Sequence, residues 1–488
     1  MGIYVGCAIF CRYKTPEALL NSGSSLESTV EHAFARALLR HPLFTVGRIN
    51  DESNKPSWVR LDRIDFNNHI EWKTIAESED YKNILLDVLE WQINSPYTHL
   101  DTQPHWRATI LKPSDPTFID IVFAWDHTAG DGKSGKIFHD SLLACLNSQS
   151  EGAKTVTLQG RSFEVPTTTI TPELTRMVKL PLTLGFVLIQ LLRELIGLFY
   201  PPDSPHEAKW APIQIEPGKT RFESITVDKN ALRSLLEICR QHQTTLTGLM
   251  HALILVSMTT RLPESKAEAF ECGTPFCLRQ YQSAEENNVD MNKTVINSAA
   301  PWGYVFDQDL VAKVRKQIND LKDGPEANRD LEATVWSAAK TLRQELTEKL
   351  KHGNQNDEVG LTKFIGDWRS YFKGQTKSRA HSWEISNLGV INGKVAGEEG
   401  ASGKGGWIID HAMFASSAVT IGPALLFCPV SVKDKAFTMT CSWQVGVVDD
   451  DLAQGVLSDM GTWLSDLGNS GNVNFAADGK PAGGEGRD

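Results

Sequence analysis

From Phe118 to Trp125 the chain runs Phe-Ile-Asp-Ile-Val-Phe-Ala-Trp, a nearly unbroken series of β-branched and aromatic residues. This pattern predicts a strand buried on both faces. A polar, glycine-rich turn follows, Asp126-His-Thr-Ala-Gly-Asp-Gly132, and apolar positions then return at Ile137, Phe138, Leu142, Leu143 and Leu146 with helical spacing. Residues 2–12 predict a further strand, and 25–39 a helix with Leu26, Val30, Phe34 and Leu38 on one face. Extended segments are expected after Pro42 and around Trp58. Later in the chain, strands are predicted over 222–227, 270–278, 381–387, 407–414, 424–432 and 436–444. Helices are predicted over 229–242, after a cap at Thr245, and over 309–321, 328–352 and 451–467.

At 488 residues the chain exceeds what one core organises, which suggests two α/β domains of roughly 200–250 residues, each a mixed sheet with helices. The most apolar window, 180–200, is interrupted by Pro181, Gly185, Arg193 and Glu194. It falls short of the ~20 clean residues that span a bilayer, and reads as a helix covering an apolar pocket or lying on a membrane surface. Prolines 201, 202, 205, 212 and 217, with Gly218, mark a linker. The expected organisation is therefore an N-terminal domain over 1–200, a linker over 201–218, a C-terminal domain over 219–467 and a disordered glycine-rich tail over 468–488.

Hydrophobic content of 41% and charged content of 22% are ordinary for a soluble protein, and a formal net charge of −11 argues against a general nucleic-acid binder. The eight cysteines (7, 11, 145, 239, 272, 277, 428, 441) form no C-x-x-C pair and have no neighbouring histidine ligands. Neither a disulfide scaffold nor a metal site is expected, and the usage fits a reduced, cytoplasmic protein. His105, His139, His242, His251, His381 and His411 form no metal-binding i, i+4 pair with acidic partners and read as structural. Signal-peptide and myristoylation patterns are missing at the N-terminus. There is no G-x-S-x-G elbow, and the G-x-G pairs lack a Rossmann or P-loop setting. Lys373, Lys377 and Arg379 make a local basic cluster in an acidic chain.

His127 sits where a buried strand ends, so it can face a cleft from a rigid support, as a general base must. Its ordinary pKa near 6.5 lets one imidazole both accept and return a proton at neutral pH. The alternative is that His127 and Asp131 merely stabilise a surface turn. The strand before and the helix after favour a catalytic turn.

The order of six segments extends that reading. These are Gly2-Ile-Tyr-Val-Gly to Arg12-Tyr13; Pro104-His-Trp106-Arg107; His127-Thr-Ala-Gly-Asp131-Gly132; Thr245 to Leu253; Ser386-Asn387-Leu-Gly389; and Ser442-Trp443-Gln-Val-Gly446. In this order they resemble the acyl-CoA-dependent acyltransferase superfamily with its H-x-x-x-D-G motif, which includes chloramphenicol acetyltransferase, the plant BAHD enzymes and condensation domains. The nearest branch is the alcohol acetyltransferase family of fungal type.

The resemblance implies two chloramphenicol-acetyltransferase-like domains with a tunnel between them. Acyl-CoA would enter as a co-substrate, with no permanently bound cofactor, and a small alcohol or secondary metabolite would enter from the other face. His127 would be the general base, with no covalent acyl-enzyme. Asp131 would hold the loop by pairing with an arginine of the second domain, a position matched by Arg279. Gly132 would permit close backbone approach or positive φ. The Asp-Phe-Gly-Trp-Gly element of the plant branch is missing; the comparable stretch is His411 to Ser417. Asn387, Ser416 and Ser417 are candidate oxyanion or substrate donors, or else satisfied strand-end groups. The CoA phosphates are expected near Lys373, Lys377 and Arg379, unless these belong to a solvated loop. The protein is expected to act as a cytoplasmic monomer, with peripheral membrane contact through 180–200 left open. Members usually carry an extra segment before the first strand, which leaves the completeness of the N-terminus open. A catalyst that takes acyl groups from a carrier protein, a rearrangement or cyclisation catalyst, and a non-catalytic interaction module are the competing readings.

Overall fold

The computed structural model describes residues 4–476, apart from 22–24, 116, 149–155, 200–203, 217, 284–288, 375–377 and 396–404. The run Phe118–Trp125 is the middle strand of a five-stranded sheet. Its order is Ile408–Ser416, Cys7–Lys14, Phe118–Trp125, Trp106–Pro113 and Ile70–Ile75. All neighbours pair antiparallel except the last two strands, which run parallel. Apolar side chains on both faces of the middle strand are used. Ile119, Ile121, Phe123 and Trp125 share a core with the helices Leu26–Leu38 and Gly132–Asn147, while Val122 and Ala124 meet the helix Tyr81–Asn94.

The second lobe holds a mixed sheet of seven strands. Six run in the order Gly303–Phe306, Phe270–Gly273, Trp383–Ile385, Leu425–Val432, Phe437–Gln444 and Thr220–Val227, and Gly389–Ile391 also pairs with Leu425–Val432. Helices Lys229–Gln241, Leu246–Arg261, Gln308–Asp320, Pro325–Lys351 and Asp450–Ser470 contribute to the core on one face. Alternation along Leu425–Val432 explains how the lobes meet. Leu425 and Phe427 enter the second lobe's own core, whereas Leu426, Cys428, Val430 and Val432 join the core of the first.

Three sequence expectations change. The segment 219–467 does not keep to one lobe: Ile408–Ser416 pairs with Cys7–Lys14, from Cys7 opposite Ser416 to Lys14 opposite Ile408. Apolar alternation identifies a strand but says nothing of its distant neighbour. The disordered tail expected over 468–488 does not start at 468. The last helix continues to Ser470, and Val473 and Phe475 are buried, Phe475 lying edge-on to Trp463 with 5.1 Å between ring centres. The remaining residues, 477–488, lie outside the described residues. The strand expected over 270–278 is broken at Thr274-Pro275, because proline has no N–H for the ladder.

Candidate active site

The turn after Phe118–Trp125 is tied at several points. Trp125 Nε1 donates to Gly130 O at 2.8 Å, and the Asp126 carboxylate accepts the Thr128 N–H at 2.8 Å while Arg48 Nη1 approaches its other oxygen at 3.2 Å. Asp131 caps the following helix by accepting the Ser134 N–H at 2.9 Å. Gly132 then allows close packing rather than a left-handed backbone: a β-carbon there would lie 3.0 Å from the Phe414 ring.

His127 emerges between the lobes. The Tyr4 ring lies 5.0 Å away between centres, tilted by 56°, and Asn297 of the second half stands on the other side. Asn297 Nδ2 is 3.0 Å from His127 Nδ1 and donates to the His127 carbonyl at 3.1 Å. Protein surrounds the imidazole, yet the residue keeps some exposure to solvent. Burial lowers its pKa; the carboxylates of Asp131 and Asp126, and a hydrogen bond to its own backbone, oppose that shift without cancelling it.

Asp131 meets Arg279, both buried. Arg279 Nη1 reaches Asp131 Oδ2 at 2.6 Å, and Nη2 reaches Oδ1 at 3.0 Å. The remaining hydrogen-bonding capacity is also used. Ser298 donates its N–H and hydroxyl to Asp131 Oδ2 at 3.1 and 2.9 Å, and Arg279 donates to the carbonyls of Met291 and Ile296, each at 2.9 Å. Burial alone would raise the Asp131 pKa, but the Arg279 guanidinium and the surrounding donors bring it below the ordinary carboxylate value.

The other candidates separate. Ser416 meets Tyr4, its hydroxyl 2.6 Å from the phenol oxygen. Ser417 accepts the N–H groups of Val5 and Gly6, each at 3.1 Å, and so tethers the N-terminal segment. Asn387 is exposed; its amide donates to Thr247 Oγ1 at 3.0 Å and its carbonyl accepts the Gly389 N–H at 2.8 Å.

The expected basic cluster does not form a phosphate site at Arg379. That guanidinium is buried and donates to backbone carbonyls, among them Ala211 at 2.9 Å, Gly422 at 2.6 Å and Thr420 at 2.9 Å. Burial brings its pKa down to about 10. A charge-based reading could not foresee this, because two segments distant in sequence, 211–212 and 419–423, supply the carbonyls. The Lys373 side chain and the whole of Lys377 lie outside the described residues. A different, mainly basic patch lines a cavity of about 390 Å³ beside Asn387, where Lys229, Arg233, Lys433 and Lys435 occur with Asp434, Thr245 and Thr247. Among the described residues, no group of three or more His, Cys, Asp or Glu side chains could hold a metal. Nor, among the described residues, is any helix long and apolar enough to cross a membrane.

Sequence reasoning missed Tyr4 and Asn297. A polar Asn-Ser pair inside the apolar run Val295 to Ala300 was the one available signal for Asn297. Tyr4 gave none beyond being aromatic just before the first strand.

A family model described as alcohol acetyltransferase matches residues 59–454. The chain belongs to the alcohol acetyltransferase family. It is 26% identical over 468 residues to a probable alcohol acetyltransferase, FCK4, of Fusarium pseudograminearum, an alignment that covers 93% of this chain and 89% of the relative. Identity to a probable alcohol acetyltransferase of Aspergillus fumigatus, crmB, is 24%, with 95% of each chain covered. In fold, the chain is similar to the TRI3 trichothecene 15-O-acetyltransferase of Fusarium sporotrichioides, with a TM-score of 0.64, 15% identity and coverage of 95% and 92%. It is also similar to the first condensation domain of the calcium-dependent antibiotic synthetase, with a TM-score of 0.58, 11% identity and coverage of 97% and 93%. These likenesses establish the two-lobed, condensation-domain-like fold.

Proposed function

We propose that the protein transfers an acyl group, most simply acetyl, from acyl-CoA to the hydroxyl of a small alcohol, with His127 as general base. The observation that carries this reading is the setting of His127, held between Tyr4 and Asn297 at the meeting of the lobes. In the tautomer with Nδ1–H turned to the residue's own carbonyl, the Asn297 amide donates to that carbonyl and not to the ring, and Nε2 keeps its lone pair. Nε2 takes the acceptor's proton as its oxygen attacks the thioester carbonyl. The C–S bond then breaks, and the imidazolium returns the proton to the departing thiolate. Neither a covalent acyl-enzyme nor a metal is needed. Of the donors considered, Ser416 with Tyr4 is the pair best situated for the oxyanion, because Tyr4 adjoins the imidazole.

The CoA phosphates are assigned to the basic rim of Lys229, Arg233, Lys433 and Lys435. A chain of net charge −11 needs such a local exception to attract a polyanion. Leu388, next to Asn387 on this rim, packs near Gly132 at the start of the motif helix, which links the cavity to the motif. Likeness to condensation domains keeps a carrier-bound acyl donor as the second reading. Thiol release from acetyl-CoA, with and without a mixed pool of alcohols, separates them. Alcohol-dependent release that disappears in a folded His127→Ala variant supports the proposal, and full activity in that variant refutes it.

A further inference from the structure

The face of the second sheet turned toward the first lobe carries a carboxyl group that the chemistry above does not use. Glu384 pairs in register with Gly273 on one side and Leu426 on the other. Leu426 packs into the first lobe's core, so side chains in this row point between the lobes. Like His127, Glu384 is surrounded by protein and yet keeps some solvent exposure. Its carboxyl is within electrostatic range of Cys428, which in turn senses Cys7; both thiols act on the Tyr4 hydroxyl, and the Tyr4 ring adjoins His127. Leu426, Cys428, Cys7 and Tyr4 belong to one core cluster, so Glu384 stands on the sheet face turned to the lobe that carries His127.

Glu384 has no hydrogen-bond partner among the described residues. The nearest basic group, His381, is turned to a different carboxylate: its Nε2 lies 3.3 Å from Glu271 Oε1, and Glu271 Oε2 is 3.2 Å from His206 Nε2. Two glycines leave room for this group. A β-carbon at Gly273 would lie 3.1 Å from Glu384 Oε2 and 2.7 Å from His381 Nδ1, and one at Gly303 would lie 2.6 Å from Glu271 Oε1. The Glu384 carboxyl oxygens reach solvent and feel the charge of nearby His381, so a ligand donor would take the place of water there.

We infer that Glu384 is an acceptor-recognition site that receives a hydrogen-bond-donating group, a second hydroxyl or an ammonium, at a distance from the hydroxyl being acylated. The inference rests on the acyltransfer reading for the identity of the ligand as acceptor. It narrows that ligand from a plain aliphatic alcohol to a polyol or an amino alcohol. The carboxyl orients the acceptor through its second polar group and exchanges no atoms with it.

The test compares linear α,ω-diols and ω-amino alcohols of increasing length with the matching mono-alcohols. Binding is measured by calorimetry on wild type, Glu384→Leu and Glu384→Gln, with thiol release from acetyl-CoA followed in parallel. Wild type is expected to prefer the donor-bearing alcohol by about ten-fold or more at the best-fitting length. Glu384→Leu abolishes that preference. Glu384→Gln, which keeps an acceptor oxygen without the charge, retains the diol and weakens the amino alcohol, and this split decides the matter should the leucine variant not fold. Equal preference in wild type and variants, or no preference at any length, overturns the site. Selective binding that depends on Glu384 without any thiol release would instead dismiss the CoA reading and leave the site standing.

Discussion

Arg279 Nη1 lies 2.6 Å from Asp131 Oδ2, a buried contact between the motif turn of the first lobe and a short helical turn of the second half of the chain. The pair is bidentate and every remaining donor is used, so its contribution lies in fixing one arrangement of the loop. Removing either partner leaves a desolvated charge, and Asp131→Ala or Arg279→Ala should each cost about 3–5 kcal/mol. The double variant should cost less than the sum. Denaturant titration of the three variants checks this; additive losses contradict a direct pair.

The same carboxylate predicts an acid limit to stability. A group whose native pKa is lowered adds stability that is present above its unfolded value, near 3.8, and is lost as pH falls through the native value. Asp131→Asn should reduce the part of the pH dependence that lies below that ordinary range. An acid-unfolding curve unchanged in slope would exclude Asp131 as a contributor.

His127 is expected to remain neutral in mildly acid solution, because burial lowers its pKa. The acid limb of kcat/KM should therefore fall below pH 6.5, and His127→Ala should reduce turnover by about 10²–10⁴-fold. A limb centred above that pH would place the titration elsewhere.

Asn297 holds the imidazole from the second half, and Asn297→Ala should lower kcat by up to roughly 10²-fold with little change in the KM for acetyl-CoA. Asn297→Asp puts a carboxylate beside the ring and should move the acid limb upward. Loss of stability with an unchanged kcat would make Asn297 a structural tie only.

Charge reversal at Lys433 and Lys435 should raise the KM for acetyl-CoA and flatten its salt dependence. Arg379→Ala should instead lower the melting temperature, because its carbonyl partners lose their donor. The opposite pattern would restore the original basic cluster as the phosphate site.

The helix Leu184–Phe199 presents Leu184, Leu188, Ile189, Leu191, Leu192 and Leu195, each more than half exposed. Replacing Leu188, Leu191 and Leu195 with serine should weaken pelleting with phosphatidylcholine vesicles while leaving the melting temperature unchanged. A collapse in stability would show these leucines to be packed core.

Much of this arrangement is legible in the chain because local pattern and local chemistry coincide. The unbroken run from Phe118, the cap at Asp131 and the apolar stripe resumed at Ile137 place His127 before any long-range contact is known. The helix Tyr81–Asn94 is less visible because polar residues interrupt its apolar stripe, and it starts from an unremarked cap at Asp80. Asn297 and Tyr4 act only through tertiary neighbours, so nothing at their own positions announces them. Arg379 misleads for the converse reason: charge reads as a solvent-facing property until the loops that bury it are known.

The strand Ile408–Ser416 gives the first sheet a late edge. Cys7 and Ser416 are 409 positions apart, yet they stand opposite one another in the ladder. During synthesis, the row Cys7–Lys14 must wait with its outer N–H and C=O groups unpaired until most of the second half has been made. Closing so large a loop is slow relative to local helix formation. An exposed edge of this kind invites pairing with other chains. The first half made alone should therefore be prone to association, and the two halves gain a soluble first sheet only as one continuous folding unit.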